Sequence, residues 1–149
     1  MSWAPSRLKI SLAFSTSSLS SVWTEISMQI FRYAETGSLR FLWIIGTNPA
    51  VSLPELRRIR KILDQDSLFL VVQDAFATET TQYADVVLPA ALWAEKTGCV
   101  TNADRTVHLT RKAIEPPGEA RSDLDIFLDY AERMNLTLSS RPPKNLLVV

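Results

Sequence analysis

The chain has 149 residues, 46% hydrophobic and 21% charged, which is enough apolar material for one packed domain. Its 16 basic residues balance its 16 acidic residues, so the sequence gives no sign of the basic face that binding to nucleic acid or to an anionic membrane requires. The single cysteine, Cys99, and the single histidine, His108, exclude an intrachain disulfide and a Cys/His metal site.

The first 23 residues are rich in serine and have no sustained hydrophobic period, so we interpret residues 1–23 as an extension without regular structure. Their apolar part, 10–14, is shorter than the core of a secretory signal, and no apolar run reaches the ~20 residues of a membrane helix. We therefore expect a cytoplasmic protein.

Residues 24–36 have helical spacing, with Thr24 as a candidate N-cap and Gly37 as a stop.

Alternating strands and helices follow. Three apolar stretches predict buried strands, the first of them buried on both faces, at 39–45, 68–73 and 84–88. Between the first two, "PELRRIRKIL" keeps helical spacing, and we expect Ser52 to cap this helix with Pro54 in its first turn. A short helix is predicted over 78–83. This order predicts an α/β fold: an open, mainly parallel sheet with helices on both faces.

The pattern changes after Pro89. Short strands are predicted at 98–101 and 106–110, followed by a helix over 123–134 that Ser122 caps. We expect the apolar run 86–92 and Trp93 to belong to the core. Residues 136–149 form a tail with no clear role.

The carboxyl ends of parallel strands meet at one edge of a sheet, where ligands of open α/β sheets bind. Gly46, Asp74 and the turn after Leu88 are all predicted at that edge. Gly46 lets the backbone approach a ligand, Thr47 and Asn48 offer a hydroxyl and an amide, and the following helix directs free N–H groups to the same place. These features favour a nucleotide site, although an ordinary surface turn would also explain them.

Three stretches together resemble the molybdopterin oxidoreductase family: "GTNPAVSLP", "VVQDAFATETTQYADVVLPAALWAEKTGCVTNADRTVH" and "EPPGEARSDLDIF". The family includes dimethyl sulfoxide reductases, formate dehydrogenases and bacterial nitrate reductases. The resemblance is strongest to assimilatory and periplasmic nitrate reductases and their formate dehydrogenase relatives. It implies that 24–135 form a Rossmann-like domain that binds a molybdopterin guanine dinucleotide, in an enzyme that reduces nitrate to nitrite or, alternatively, oxidises formate.

The resemblance implies cofactor contacts by Asn48, Gln73, Asp74, Lys96 and Asp123, with Asp74 accepting hydrogen bonds from guanine. Each position has a simpler interpretation: Asn48 as a turn residue, Asp74 as a loop acid, Lys96 as a solvated lysine and Asp123 as a complement to a helix dipole. Gly46 and Thr47 complete the candidate set with Thr78, which, like Thr80, could bind phosphate or cap the short helix. Asn102 and Arg105 could brace a loop facing the pterin, or Arg105 could pair with Asp104 or Glu95.

The family's iron–sulfur cysteine cluster and molybdenum ligand have no counterpart in this sequence, and Cys99 does not match the metal-ligand position. The resemblance thus implies an iron–sulfur cluster only in an N-terminal region that is missing here. The expected partners are the missing domains of the same enzyme or a partner subunit, and the isolated chain is expected to be inactive. A non-catalytic module for a guanine nucleotide or a partner protein, and a truncation product without an independent role, are the alternatives.

Overall fold

The computed structural model describes residues 28–136. The predicted extension 1–23, the candidate cap Thr24 and the tail after residue 136 lie outside the described residues. The helices are α1 (28–35), α2 (Pro49–Ser52), α3 (Leu56–Leu63) and α4 (Asp123–Arg133), and short 3₁₀ helices span Glu79–Tyr83 and Trp93–Glu95. The strands are β1 (Phe41–Ile45), β2 (Phe69–Asp74), β3 (Val86–Pro89), β4 (Gly98–Thr101) and β5 (Val107–Thr110).

The first three strands form a parallel sheet in the order β1–β2–β3, which confirms the predicted fold class. In β1 and β2 the pairing runs from Phe41 opposite Phe69 to Ile45 opposite Gln73. In β2 and β3 it ends with Asp74 opposite Pro89. The three strands therefore end side by side at one carboxyl edge.

Helices cover both faces of this sheet. On the first face, Ile44, Leu70 and Val72 join the main core cluster with buried residues of α1 and α3: Phe31, Ala34, Ile59, Ile62 and Leu63. Successive strand residues point to opposite faces, so Trp43 lies on the second face. There it packs against α4, with its ring centroid 5.1 Å from that of Phe127 and 5.0 Å from that of Tyr130.

The helix after β1 differs from the prediction. We expected Ser52 to cap it with Pro54 in its first turn, but Ser52 instead ends the four-residue helix α2. The next helix, α3, starts at Leu56 after Glu55, which adopts the left-handed conformation with φ 56°. Proline is favoured at the first position of a helix, and Pro49 starts α2 there. The spacing of apolar residues did not indicate a helix this early in the chain. The predicted stop at Gly37 is confirmed by its φ of +71° just after α1.

Two predictions of burial were wrong. Strand β1 is an edge strand, and Phe41 and Ile45 remain 43% and 40% exposed. The run 86–92 is core only at Ala90 and Ala91, and Trp93 is 73% exposed. Within residues 28–136, β1 and β3 lie at the edges of the sheet, and Trp93 lies in a 3₁₀ helix outside it, so apolar composition alone does not bury these side chains.

Strands β4 and β5 form a separate antiparallel hairpin, close to the predicted bounds. Its side chains, including His108, are largely exposed on both faces. Asn102 and Arg105 lie in its turn, where the Arg105 N–H donates to the Asn102 carbonyl at 3.0 Å. Among the described residues Arg105 has no ion pair, and Glu95 instead accepts the Leu92 N–H at 2.7 Å.

Within residues 28–136, no helix is both long and apolar enough to cross a bilayer.

Candidate functional site

The carboxyl edge of the parallel sheet is closed by two backbone hydrogen bonds. The Gly46 N–H donates to the Gln73 carbonyl at 2.9 Å, and the Ala90 N–H donates to the Asp74 carbonyl at 3.0 Å. Gly46 has a φ of +57°, and a Cβ atom there would meet nothing within 4 Å. Glycine is therefore required for its backbone conformation, and the space beside it stays open.

The Asn48 side chain joins α2 to the 3₁₀ helix that precedes β3. Its Nδ2 donates to Glu79 Oε2 at 2.7 Å, and its Oδ1 accepts from Thr80 Oγ1 at 2.7 Å. The Thr80 hydroxyl in turn accepts the Ala50 N–H at 3.2 Å. Asn48 is the N-cap residue of α2, but its side chain makes no capping hydrogen bond to the helix. Thr80 therefore satisfies an N-terminal N–H of α2 from a distant part of the chain.

Sequence reasoning overlooked Glu79, an exposed acid in the same cluster. The hydrogen bond from the Asn48 amide holds the pKa of the Glu79 carboxyl below its ordinary value. Glu79 is therefore negatively charged at neutral pH beside a predicted site residue. Its only signal in the sequence was its place in "TETTQY", between two threonines already under consideration.

A second cluster joins three of the predicted residues, Gln73, Lys96 and Asp123. Gln73 Nε2 donates to Asp123 Oδ1 at 2.8 Å, and the Lys96 ammonium forms an ion pair with Asp123 Oδ2. Gln73 has 0% exposure, whereas Lys96 and Asp123 are partly exposed. Lys96 is thus an ion-paired residue at the site rather than a solvated surface lysine.

The electrostatics of Asp123 reflect two opposing effects. Partial burial raises the pKa of its carboxyl, but the hydrogen bonds from Lys96 and Gln73 outweigh this and hold the pKa below its ordinary value. The confirmed N-cap of α4 is the preceding residue, Ser122, whose Oγ accepts the Asp125 N–H at 3.2 Å. Asp123 therefore stays ionised at the first turn of α4, where negative charge complements the helix dipole.

Asp74 is the last residue of β2. Its Oδ1 accepts the Phe76 N–H at 3.0 Å, a local turn that fixes the direction of the carboxylate. Each carboxylate oxygen has two lone pairs, so Oδ2 and the second lone pair of Oδ1 can still accept from a ligand.

The other predicted residues lie apart from these contacts. The Thr78 hydroxyl is buried and, within residues 28–136, has neither a capping bond nor another hydrogen-bond partner. Thr47 lines a separate, largely apolar cleft of about 310 Å³ beside β1. In the described part of the chain, no group of three His, Cys, Asp or Glu residues could hold a metal ion. The site can therefore offer carboxylates, an amide and an ammonium group, which suit an organic ligand with several polar groups.

This chain is similar to parts of longer proteins from other organisms. A nitrate reductase from Synechocystis sp. is 48% identical over 107 residues, which cover 71% of this chain and 15% of that protein. A formate dehydrogenase alpha subunit from Methanocaldococcus jannaschii is 53% identical over 97 residues, which cover 65% of this chain and 14% of that protein. The chain thus spans about a seventh of the length of these relatives.

A solved structure has the same fold. Acetylene hydratase from Pelobacter acetylenicus superposes with a TM-score of 0.63 at 26% identity, over 73% of this chain and 16% of that one. The family model for molybdopterin oxidoreductases matches residues 16–133. The chain therefore belongs to the molybdopterin oxidoreductase family, and membership implies a cofactor of molybdenum bound to molybdopterin.

Proposed function

We propose that this chain forms the part of a molybdenum oxidoreductase that binds a molybdopterin guanine dinucleotide at the carboxyl edge of its parallel sheet. The observation that carries the proposal is the position of Asp74. It ends the central strand of the sheet, it is partly exposed, and its local turn leaves acceptor capacity free. Ligands of open α/β sheets bind beyond this edge.

Asp74 would distinguish guanine from adenine by hydrogen bonding. Guanine presents two neighbouring N–H donors, at N1 and at the exocyclic amine, and a carboxylate can accept from both. Adenine has an acceptor at N1 and a C–H at C2 in their place, so it cannot donate to both carboxylate oxygens from these positions. Hydrogen bonds to a charged group contribute about 1.5–3 kcal/mol each, which makes this contact a strong source of selectivity.

The other polar groups fit the same cofactor. Gly46 keeps the space beside the backbone open, Asn48 has a second N–H to donate, and Lys96 is a cation for an anionic group. The buried Thr78 hydroxyl, which has no partner within residues 28–136, is a polar group that the described chain does not satisfy. When bound, the cofactor supplies the redox chemistry, and these residues bind and orient it.

The reaction we propose for the complete enzyme is the reduction of nitrate to nitrite. The Synechocystis relative is named as a nitrate reductase, which supports this assignment. Formate oxidation is the second candidate, because the formate dehydrogenase relative is 53% identical.

An iron–sulfur cluster would be held by a different part of the enzyme, since this sequence has a single cysteine. A lone thiol, which cannot form an intrachain disulfide, also suits the cytoplasmic location that we propose.

We also propose that the rest of the enzyme, either further domains or a partner subunit, covers the exposed apolar surface. Val100, Val107 and Leu109 on the β4–β5 hairpin are each about half exposed. Val107 and Leu109 share one face of the hairpin, and Val100 lies on the other. An isolated two-stranded hairpin is only marginally stable in water, so these exposed apolar side chains favour a covering partner. The relatives are about seven times longer than the matched segment, so they contain ample chain to supply that cover.

Calorimetric titration of the full chain with guanosine diphosphate and with adenosine diphosphate tests the nucleotide proposal. We expect a preference for the guanine nucleotide, and we expect Asp74→Asn to weaken its binding roughly ten- to thousandfold. Asp66→Asn is the matched control, because Asp66 is an exposed acid that precedes β2 at the opposite edge of the sheet. Equal affinity for both nucleotides, or unchanged binding in Asp74→Asn, would contradict the proposal.

A further inference from the structure

We propose that Gln73 is a positioning residue, which holds the Lys96–Asp123 pair at the carboxyl edge and does not itself contact the ligand. The inference rests on the proposed nucleotide site and deepens it. The resemblance to the family assigns position 73 a direct contact with the cofactor. The geometry points to a different role for the glutamine found here.

Burial separates Gln73 from any ligand at the edge. Its side chain has 0% exposure, although the neighbouring Asp74 is partly exposed. Successive residues of a strand point to opposite faces, so Gln73 lies on the face that α4 covers, with Trp43. A ligand bound beyond the edge would therefore meet Asp74 and the surface of the Lys96–Asp123 pair, but not the Gln73 amide.

Gln73 joins three separate segments of the site. Its carbonyl accepts the Gly46 N–H at 2.9 Å and so fixes the turn after β1. Its Nε2 donates to Asp123 Oδ1 at 2.8 Å and so fixes the first residue of α4. The other oxygen of Asp123 binds Lys96, which belongs to the loop before β4. With both oxygens of Asp123 held, the ammonium group of Lys96 has a defined position.

An amide is well suited to this task. The buried Nε2 donates to a carboxylate, a charge-assisted bond that is stronger than one between neutral groups. The same bond contributes to holding the pKa of Asp123 below its ordinary value, against the effect of burial. An apolar side chain at position 73 would fill the space but leave Asp123 Oδ1 without its donor, so that only the Lys96 contact at Oδ2 would orient the carboxylate.

The test uses Gln73→Met in the full chain, because methionine is close in size and lacks the amide donor. We expect NMR titration of the Asp123 carboxyl carbon to show a higher pKa in this variant than in the wild type. Val71→Ala is the matched control, since Val71 is buried two residues earlier on the same face and has no side-chain donor. It should destabilise the fold and leave the pKa of Asp123 unchanged.

Guanosine diphosphate is the probe for binding. We expect Gln73→Met to weaken it about tenfold, equivalent to about 1.4 kcal/mol. The same substitution should have no further effect when Asp123→Ala is already present, because the positioning residue then has nothing to hold. Additive losses in the double variant, as two direct contacts would give, would overturn the inference.

One measurement needs no substitution in the core. In the wild-type chain, the side-chain NH₂ resonances of Gln73 should shift with pH in step with the titration of Asp123. An Asp123 pKa that is unchanged in folded Gln73→Met, or Gln73 resonances that ignore the titration, would refute the role of Gln73. If wild-type chain does not bind the nucleotide, the proposed function fails, and these titrations still decide the role of Gln73.

Discussion

Replacing Thr80 by valine should destabilise the chain much more than the same replacement at Thr78. Thr80 has 0% exposure, and its hydroxyl donates to Asn48 Oδ1 and accepts the Ala50 N–H. Valine keeps the shape of threonine but removes both bonds. Ala50 is also fully buried, so water cannot replace the partner of its N–H.

The magnitude follows from these environments. A buried N–H left without a partner costs about 1–3 kcal/mol, whereas the partly exposed Asn48 can recover a bond from water. We therefore expect Thr80→Val to lower the free energy of unfolding by about 1–3 kcal/mol. The hydroxyl of Thr78 is buried without a partner in the described residues, so Thr78→Val should be neutral or slightly stabilising.

Urea denaturation followed by circular dichroism measures both variants. With a slope of about 1–3 kcal/mol per molar urea, the midpoint of Thr80→Val should fall by about 1 M. The midpoint of Thr78→Val should stay at the wild-type value or rise. Equal losses in the two variants would show that the hydroxyl of Thr80 has no special structural role.

Three further outcomes can be checked by the same denaturation assay. Leu70→Ala, at a fully buried position of the central strand, should cost about 2–5 kcal/mol, and a loss below about 1 kcal/mol would contradict the described core. Gly46→Ala should cost about 1–2 kcal/mol through its positive φ alone, because the added Cβ meets no atom; an unchanged midpoint would refute that strain. The pKa of Asp123 is lowered in the folded state, so its contribution is complete at neutral pH and disappears as pH falls through that pKa. Asp123→Asn should therefore be less stable than wild type at pH 7 and equally stable in strong acid, and a gap that persists in acid would contradict this assignment.

Local patterns predicted much of this fold because they depend on neighbouring residues. Alternation of apolar strands with amphipathic helices indicated the parallel sheet, and Ser122 marked the start of α4 correctly. The position of each strand in the sheet depends on the whole topology, so apolar composition alone could not show that β1 and β3 lie at the edges. Trp93 was wrongly expected in the core, because where its 3₁₀ helix lies relative to the sheet also depends on the whole topology.

The candidate site shows a similar division. The resemblance brought forward Gln73, Lys96 and Asp123, which lie far apart in sequence and contact one another in the fold. It could not show which of them is buried, because burial depends on how α4 packs on the sheet. Nor could the sequence identify Glu79 as the partner of Asn48, since that contact joins residues 31 positions apart.

The proposed function requires a guanine nucleotide to bind at the carboxyl edge of the parallel sheet. The most direct measurement is a two-dimensional ¹H–¹⁵N NMR titration of the full chain with guanosine diphosphate. We expect saturable shifts concentrated at the backbone amides of Gly46, Asn48, Phe76 and Lys96, and we expect them to disappear in Asp74→Asn. Shifts that cluster elsewhere, such as on the β4–β5 hairpin, or no shifts at millimolar nucleotide, would contradict it.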